Sequence, residues 1–493
     1  MVDVARVTID MLPDVALLGI FDLYVGEAGL SWHVLVHVCR TWRNVVFGSP
    51  RRLGLKLHCR ASTPVREMLD VWPLLPIVIN NYFHHGCGVD NIIAALEHKD
   101  RICQLKLFDF PSSQFEELLA VMQRPFPVLT HLRIRPRHET PLPLIPVPTS
   151  FLGGFAPQLQ VLDLNRFSFP GLPNLLLSAT HLVTLSLKGI TRSGYISPEA
   201  MLNCFSVLTR LESLRIVFES AQSFPRRRSR YLPRSTRTLL PILSKVWFEG
   251  ATDYLEDLVA WIDAPLLDTL DVNFFSQMMF ETPQLAQFID RTPKFKAYDD
   301  ALLFLSGSDA WVILSPTFDR WLQLKISCSS PSDEQASSLA QICSLSFPRA
   351  LISSVEHLYI LSTSDWQPED DIGNDQWLEL LHPFTGAKAL YLPLEFMLCV
   401  PLALQELVGE RVTEVLPALQ TFLLEDMVPP PGVHDAIGQI VAARWLANRL
   451  ISISLWNGED GTGPEMGQGN MEWEERRWRQ WDGDGDGGAE ITY

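Results

Sequence analysis

The chain has 493 residues, of which 47% are hydrophobic and 20% are charged, and its formal net charge at pH 7 is −17. This composition excludes a chain that is disordered over most of its length. The acidic charge disfavours general binding to the phosphate backbone of nucleic acids. The length fits two to four domains or one elongated repeat array.

The first predicted elements are three helices, over Leu12 to Val25, Trp32 to Val38 and Arg40 to Phe47. Pro13 and Asp14 suit the first turn of a helix, and the apolar residues recur at three- and four-residue steps. A three-helix unit this small cannot bury all of its apolar residues by itself. The surplus apolar face therefore predicts a partner, and its members are Leu17, Ile20, Phe21 and Leu35.

After a strand-like run that ends at Ile79, one short motif recurs along the chain. The motif contains three apolar residues. Two residues separate the first apolar residue from the second, and one residue separates the second from the third. The motif starts at Ile102, Leu129, Leu159, Leu182, Leu211, Leu266, Trp321, Val355, Ala387 and Leu419. The first five starts are 27, 30, 23 and 29 residues apart, a period typical of leucine-rich repeats. A weaker unit near Leu243 includes the sequence SKVWFEG.

Each motif predicts a strand with one buried face, because alternate residues of a strand point to opposite sides. The intervening segments 111–123 and 197–209 have the pattern of helical crossovers. The repeats are degenerate, since the position that holds Asn or Cys in a regular leucine-rich repeat carries other residue types. Those residues are Phe110, Arg137, Phe167, Ile190 and Glu219. We therefore expect stacked strands rather than a smooth horseshoe.

Three further segments carry motifs with alternative interpretations. The basic run 226–230 is an exposed loop, a nuclear-import signal or a phosphate contact. The sequence HHGC at 84–87 offers three soft ligands where structural zinc takes four, which favours a polar turn. The tail from Asn457 lacks periodicity and is predicted to be disordered. Its DGDGDGG run resembles the start of a calcium loop, but Tyr493 stands where the bidentate Glu is required.

The N-terminal segment resembles the F-box. The residues that carry the resemblance are Leu12, Pro13, Ile20, Phe21, Leu35, Val38, Cys39, Arg40 and Trp42, the last five in the pattern L-x-x-V-C-R-x-W. Later segments resemble an expanded F-box family of mushroom-forming basidiomycete fungi, up to about Arg449. They are residues 63–79, 194–202, 254–272, 282–297 and 404–425.

The resemblance implies an α/β protein in which a three-helix F-box precedes an irregular leucine-rich-repeat-like solenoid of stacked parallel strands. Together with the repeat pattern, it gives an F-box at 9–58, a connecting segment and first strand at 59–100, and a degenerate leucine-rich-repeat domain at 101–450. The acidic Gly- and Trp-rich tail at 457–493 lies beyond the resemblance and is expected from its composition alone. It also implies a substrate-recognition subunit of an SCF-type cullin-RING ubiquitin ligase. The residues that would meet its Skp-type adaptor are Leu12, Pro13, Leu17, Ile20, Phe21, Leu35, Val38, Cys39 and Trp42.

In this interpretation the repeat domain binds an unknown target protein, and the Skp-type adaptor links the chain to a cullin. We expect no enzymatic activity, cofactor, metal, nucleic acid or membrane partner. The alternative is a non-catalytic scaffold or recognition protein that uses its repeat surface without ubiquitin transfer. A weaker hypothesis is a hydrolase hidden between Phe275 and Trp321, although no GxSxG, HExxH or phosphate-loop motif occurs.

The eight cysteines are scattered without a CxxC pair, which predicts reduced thiols in an intracellular protein. No signal peptide or membrane span is predicted, so we expect the protein in the cytoplasm, the nucleus or both. Residues between the core leucines are candidates for target binding, and plain solvated positions are an equally good interpretation. They are Gln160, Asp163, Thr184, Glu212 and Arg215.

Overall fold

The structure is a computed structural model of the chain. It describes residues 12–27, 32–48, 55–57, 59–71, 74, 76–82, 88–137, 145–224, 236–275, 282–317, 320–327, 332–362, 372–397, 399–425 and 432–456. The chain divides into two compact units, the first up to Ile196 and the second from Ser197. The motifs at 84–87, 226–230 and 482–488, and the tail from Asn457, lie outside the described residues.

The helices of the first unit precede or connect its strands. They are α1 (Asp14–Glu27), α2 (Arg40–Gly48), α3 (Val65–Val71), α4 (Val89–Leu96), α5 (Ser112–Val121) and α6 (Leu172–Ser178). The predicted second helix is a 3-10 helix over Trp32–His37. Further 3-10 helices span Phe151–Gly154 and Arg192–Gly194.

The strands of the first unit form a parallel sheet. They are β1 (Leu55–Leu57), β2 (Ile77–Tyr82), β3 (Ile102–Phe110), β4 (His131–Pro136), β6 (Val161–Asn165) and β8 (Thr184–Ile190). They pair in this order, each parallel to the next. A separate two-stranded pair consists of β5 (Ile145–Pro146) and β7 (Phe167–Ser168).

The helices of the second unit connect successive strands. They are α7 (Pro198–Phe205), α8 (Thr252–Val259), α9 (Pro283–Arg291), α10 (Ser332–Leu345), α11 (Arg349–Ile352), α12 (Asn374–Leu381), α13 (Cys399–Gln405) and α14 (Val433–Leu446). Its 3-10 helices span Ala221–Ser223, Pro293–Phe295, Leu394–Phe396 and Gly409–Thr413.

The strands of the second unit form a mixed sheet. They are β9 (Ser213–Phe218), β11 (Lys245–Gly250), β13 (Thr269–Phe274), β14 (Asp300–Leu305), β15 (Asp309–Thr317), β16 (Arg320–Ser327), β17 (His357–Ser362), β18 (Ala389–Leu392), β19 (Thr421–Glu425) and β20 (Ser452–Trp456). Their spatial order is β9-β11-β13-β16-β15-β14-β17-β18-β19-β20. A separate pair consists of β10 (Thr238–Leu239) and β12 (Ile262–Asp263).

All ten predicted motifs and the SKVWFEG unit lie on strands, which confirms a leucine-rich-repeat-like stacking of parallel strands. The prediction was incomplete in one respect, because β15 runs antiparallel to both β14 and β16. A tight turn causes this reversal: the backbone N–H of Ser306 donates to the Asp309 carbonyl at 2.9 Å, and the Asp309 N–H donates back to the Ser306 hydroxyl.

Core leucines line up from one strand to the next. In the first unit Leu105, Leu132, Leu162 and Leu185 are direct register partners, and all four are fully buried. Backbone bonds at the strand entrances repeat in the same way, since the N–H of Gln160 donates to the Thr130 carbonyl at 2.7 Å. Each repeat is therefore fixed to its neighbour by both packing and backbone bonds.

Aromatic side chains occupy positions where the sequence lacks the polar ladder of regular repeats. Phe110 and Phe167 are buried and both make edge-to-face contacts with Phe115 on α5, at centroid distances of 5.6 and 5.7 Å. Such contacts are favourable between aromatic rings. Ring packing thus stabilises the turns after β3 and β6.

Two searches cover the described residues alone. Within them, no helix combines the length and apolar character needed to span a bilayer. The same residues place no three His, Cys, Asp or Glu side chains in a group that could hold a metal ion. The described cysteines are free thiols, and burial raises the pKa of Cys204 to about 11.

Candidate functional site

Each parallel strand presents one face to the buried leucines and the other face away from them. We call the second face the outer face. Its central row consists of the outward residues that lie between two buried apolar residues of each strand and that are in register from strand to strand. In the first unit the central row is Lys106, Arg133, Asp163 and Ser186, which are direct register partners on β3, β4, β6 and β8. Adjacent strands are about 4.8 Å apart, so these side chains form one continuous surface.

The outer face of the first unit is rich in cations. Lys106, Arg133, Arg135 and Lys188 lie there together with the carboxylate of Asp163, and all five are half-buried. The Arg135 guanidinium lies 5.6 Å from the centre of the Phe108 ring on the neighbouring strand, within the range of a cation–π contact. This face is therefore positively charged on a chain whose net charge is −17.

The positive charge of this face affects the pKa of His131, which also lies on β4. Burial lowers the pKa of its imidazole first, and the charges of Arg133 and Lys106 lower it further. Its Nδ1 atom lies 2.9 Å from the hydroxyl of Thr130. Because the lowered pKa keeps the ring neutral at pH 7, His131 adds hydrogen-bonding capacity without adding charge.

In the second unit the central row begins with a cation–π pair. The Arg215 guanidinium lies 4.2 Å from the centre of the Trp247 ring on the adjacent strand. The row continues through Asp271 and Gln323, whose side-chain amide donates to the Asp271 carboxylate at 3.5 Å. All four side chains are buried, so this part of the outer face is packed rather than simply solvated.

Half-buried polar side chains flank that buried row. Burial raises the pKa of the Glu249 carboxyl, while the charges of Lys325 and Arg215 and a hydrogen bond from Asn273 oppose the rise. Lys325 Nζ lies 3.2 Å from Asp309 Oδ2 and 5.1 Å from the centre of the Trp311 ring. The polar groups thus have specific partners, and their geometry is fixed before any ligand binds.

Aromatic residues dominate the next strands of the same face. The buried residues Leu302, Phe304, Ile313, Trp321 and Tyr359 form a cluster, with Trp311, Leu361 and Tyr391 partly buried against it. Phe304 stacks on Trp311 at 5.1 Å, and Tyr359 stacks on Tyr391 at 3.9 Å. Burial raises the pKa of the Tyr359 hydroxyl, and the neighbouring Tyr391 raises it further. We call these eight residues the aromatic cluster.

The hydrolase hypothesis concerns the region between Phe275 and Trp321. Asp300 in this region pairs with His357, with Nδ1 and Oδ1 3.0 Å apart, and both side chains are partly exposed. Burial raises the pKa of Asp300, whereas the His357 charge lowers it. Within the described residues no hydroxyl group forms a hydrogen bond with His357, so no Ser-His-acid triad is assembled among them. The expectation that the chain is not an enzyme stays a prediction.

The residues expected to bind the Skp-type adaptor fall into a buried group and an exposed group. Leu17, Phe21 and Leu35 are buried within the chain, and Trp42 packs on Phe21 with ring centroids 4.7 Å apart. The expected surplus face is therefore smaller than the sequence predicted, because three of its four members form the core of this region. Leu12 and Cys39 are half-buried, and the Cys39 sulfur accepts the Trp42 backbone N–H at 3.4 Å.

The exposed members lie on the other side of α1 and just after the 3-10 helix. Ile20 is 43% exposed and Val38 is 56% exposed, and Pro13 is exposed as well. Val15 and Leu23 are also exposed apolar residues of α1. Helix α1 is thus apolar on both its buried and its solvent side. Adaptor binding through these residues stays a prediction.

Most of the central row was missed from the sequence. Among the proposed target-binding residues, Asp163 and Arg215 lie on the central row and Thr184 lies beside it on the outer face. Gln160 and Glu212 instead precede their strands, where their carbonyls accept backbone bonds from the next repeat. Trp247, Tyr359 and Tyr391 could have been predicted from the sequence. Each lies between the last two apolar residues of its motif, and that position points away from the core in every strand.

No protein-family model matches the sequence, and no curated protein matches it. Among solved structures, the chain is similar to the crystal structure of the leucine-rich repeat-containing protein LegL7 from Legionella pneumophila. The similarity has 13% sequence identity and a TM-score of 0.26, and it covers 79% of this chain and 97% of that chain.

Proposed function

We propose that this chain is a non-catalytic receptor that binds a target protein through the outer faces of its strands. The observation that carries the proposal is the partly accessible margin of the second unit's outer face, where Trp311 and Tyr391 stack on the buried rings of Phe304 and Tyr359. Tryptophan, tyrosine and arginine are the residue types that most often dominate the energetics of protein interfaces.

The packing of this face supports a binding role. Its centre is buried and its margin consists of half-buried residues such as Lys325, Trp311 and Tyr391. Aromatic side chains with accessible edges, such as those of Trp311 and Tyr391, are of the types enriched at protein interfaces. The buried leucines on the other side of the sheet hold the strands in place. A target would therefore meet a surface that needs little ordering.

The finer proposal is that the N-terminal helices dock on a Skp-type adaptor and make the chain a substrate receptor of an SCF-type ubiquitin ligase. The F-box resemblance and the exposed apolar side of α1 support it. In this mechanism the chain performs no chemistry: it holds the target beside the ubiquitin-loading machinery and raises the local concentration of target lysines.

The adaptor proposal is tested with residues that can change without loss of the core. The double variant Ile20→Asp and Val38→Asp alters two exposed side chains. We expect it to weaken binding of the purified chain to the Skp-type adaptor by about tenfold or more in isothermal titration calorimetry. Leu177→Asp, at an exposed apolar position on α6, is the matched control. Equal affinity of the double variant and the control would refute docking through these residues.

The alternative proposal is a scaffold that uses the same outer face without ubiquitin transfer. The discriminating observation is whether a cullin joins the complex of chain and adaptor. A ternary complex supports the receptor, whereas a chain that binds its target but never assembles with adaptor and cullin supports the scaffold.

Target binding is tested on the accessible edge of the aromatic cluster. The variant Trp311→Ala with Tyr391→Ala removes two partly buried rings, and Leu266→Ala is the control at an exposed position of the same unit. We expect proteins that co-purify with the wild type and the control to be depleted with the double variant. Identical sets of co-purifying proteins for all three chains would count against the outer face as the target site.

A further inference from the structure

The outer face of the first unit carries an excess of positive charge. Four half-buried cations lie on strands β3, β4 and β8, and we call them the cationic face. They are Lys106, Arg133, Arg135 and Lys188. The carboxylate of Asp163 lies among them on β6. An anionic ligand is attracted to a surface on which positive charges outnumber negative ones.

The cations of β3 and β4 are close enough to share one ligand. Lys106 and Arg133 are direct register partners on adjacent strands. Burial lowers the pKa of His131 beside them, and the charges of both residues lower it further. Arg135 lies two residues after Arg133 on the same face of β4, and its guanidinium is 5.6 Å from the centre of the Phe108 ring on β3. These three cations therefore form one surface.

Lys188 extends this surface to β8. Its register partner on β6 is Asn165, two residues after Asp163 on the same face. Strand β8 is two strands away from β4, at a distance of about 10 Å. Even if Asp109 at the end of β3 is counted together with Asp163, the positive charges of the cationic face outnumber the negative ones.

The outer face of the second unit differs, because its cations have specific partners on neighbouring strands. Lys325 Nζ lies 3.2 Å from Asp309 Oδ2, and the Arg215 guanidinium covers the Trp247 ring. A cation that a carboxylate already neutralises attracts a further anion less strongly. Among the outer-face strands, those of the first unit are therefore better suited to an anionic ligand.

We propose that the cationic face binds an acidic peptide segment of the target protein in extended conformation. This inference rests on the proposed function, since it assigns the charge of the target. Alternate side chains of an extended segment point to one side about 6.6 Å apart, and Arg133 and Arg135 have the same separation along β4. The strands from β3 to β8 span about 14 Å, which an extended segment of about five residues covers.

The carboxylate of Asp163 favours a peptide over a nucleic acid. It lies in the central row between its register partners Arg133 and Ser186. Its Oδ1 atom is buried and accepts no hydrogen bond within the described residues, a state that a peptide N–H would relieve once neighbouring side chains move. Phosphate groups would instead meet this carboxylate with like charge. A long polyanion would also extend onto a chain whose net charge is −17.

The test is the affinity of the full chain for a short labelled peptide in which aspartate alternates with glycine, measured by fluorescence anisotropy. We expect this peptide to bind at least about tenfold more tightly than the same peptide with asparagine, because carboxylates form stronger hydrogen bonds with cations than amides do. The affinity should fall as the salt concentration rises from about 50 to about 300 mM. Equal affinity for the two peptides would overturn the proposal.

Variants of the cationic face assign the binding to its charges. Lys106→Gln with Arg135→Gln should weaken binding of the aspartate peptide by about tenfold or more. Lys106→Arg with Arg135→Lys keeps both charges and should retain binding, as should Arg124→Gln at an exposed position after α5. The single variant Lys188→Gln, with a loss of about threefold or more, keeps the test decisive if the double glutamine variant does not fold. Glutamine variants that bind as well as Arg124→Gln would refute the assignment.

The same titration distinguishes two other occupants. A single-stranded oligothymidylate of equal charge that binds more tightly than the aspartate peptide would make a nucleic acid the ligand and overturn the proposal. The chain's own acidic run is examined with Asp482→Asn, Asp484→Asn and Asp486→Asn combined in the full chain. We expect this variant to bind the peptide as the wild type does. A rise in affinity of about tenfold would make that run the occupant instead of a separate target.

This inference and the proposed function can fail separately. The variant Trp311→Ala with Tyr391→Ala alters the second unit alone, so its affinity for the aspartate peptide should equal that of the wild type. If co-purifying proteins depend on Trp311 and Tyr391 but the aspartate peptide does not bind, only the recognition of an acidic segment is refuted. If the peptide binds and co-purification is insensitive to both rings, the target site on the second unit is refuted and the cationic face is supported.

Discussion

The Arg215 guanidinium stacks over the Trp247 ring at 4.2 Å, and both side chains are buried on a sheet face that points away from the leucine core. A residue between two core leucines is normally solvated, because alternate strand residues point outward. Here the guanidinium and the indole cover each other across two adjacent strands. The outer face of the second unit therefore contributes to stability as well as to the proposed binding.

The first prediction concerns that contribution. Trp247→Ala should lower the free energy of unfolding of the second unit by about 3–5 kcal/mol, the usual cost of deleting a buried aromatic side chain. Urea unfolding followed by circular dichroism measures it. Leu266→Ala at an exposed position should change stability by no more than about 0.5 kcal/mol. A Trp247→Ala midpoint equal to that of the control would show that the outer face is not packed as described.

The second prediction concerns Arg444 on α14, which is buried. Its guanidinium donates to the carbonyls of Leu416 and Val415 at 2.8 and 2.7 Å. Arg444→Met keeps most of the apolar stem but leaves two carbonyls without these donors, and we expect a loss of about 2–4 kcal/mol. Arg411→Met, which removes only an exposed ion pair with Glu414, should cost under about 1 kcal/mol. Thermal denaturation of the two variants compares them, and equal melting temperatures would contradict the prediction.

The third prediction concerns the connection between α8 and α9. The Glu256 carboxylate accepts the backbone N–H groups of Gln284 and Leu285, at 2.9 and 2.7 Å, at the start of α9. It thus caps a helix of the next repeat with a negative charge. Glu256→Ala should destabilise the unit by about 1–2 kcal/mol. Glu256→Gln keeps one acceptor oxygen and should lose less in the same urea titration. An equal or larger loss for the glutamine variant would contradict the capping role.

The fourth prediction is a pH dependence from Asp257. Burial raises the pKa of its carboxyl to about 6, and the nearby charge of Asp253 adds to the rise. Because an aspartate in the unfolded chain titrates near pH 3.9, folding favours the protonated form. This contribution is complete below about pH 4 and is lost as pH rises through about 6.

Asp257→Asn should therefore match the wild type near pH 4 and be more stable than it at pH 7. Urea midpoints measured from pH 4 to 8 check this, with Asp290→Asn on α9 as an exposed control. If the difference between Asp257→Asn and the wild type is the same at every pH, the carboxyl does not titrate as described.

The strand positions could be predicted from the sequence because the buried leucines that line up from strand to strand recur with the same apolar spacing in each motif. Leu105, Leu132, Leu162 and Leu185 are buried register partners, and each is the second apolar residue of its motif. The reversal at β15 could not be found in this way. Phe304 and Trp311 flank the turn at Ser306 and lie in apolar runs without the motif's spacing, since their strands are buried on both faces.

The candidate site could be predicted only in part, because the sequence shows which residues leave the core but not which of them meet. Arg215 and Trp247 are 32 residues apart in the sequence and become neighbours through the pairing of β9 and β11. In the N-terminal helices the sequence shows which residues are apolar but not which of them are buried. The apolar pattern of α1 does not reveal that Phe21 is buried against Trp42 while Ile20 is exposed.

The most direct test of the receptor account is the mass of the complex formed when the full chain, the Skp-type adaptor and a cullin are mixed and analysed by native mass spectrometry. The account predicts a stoichiometric assembly of all three proteins, lost with the Ile20→Asp and Val38→Asp variant and retained with Leu177→Asp. A folded wild-type chain that remains separate from adaptor and cullin would contradict the account.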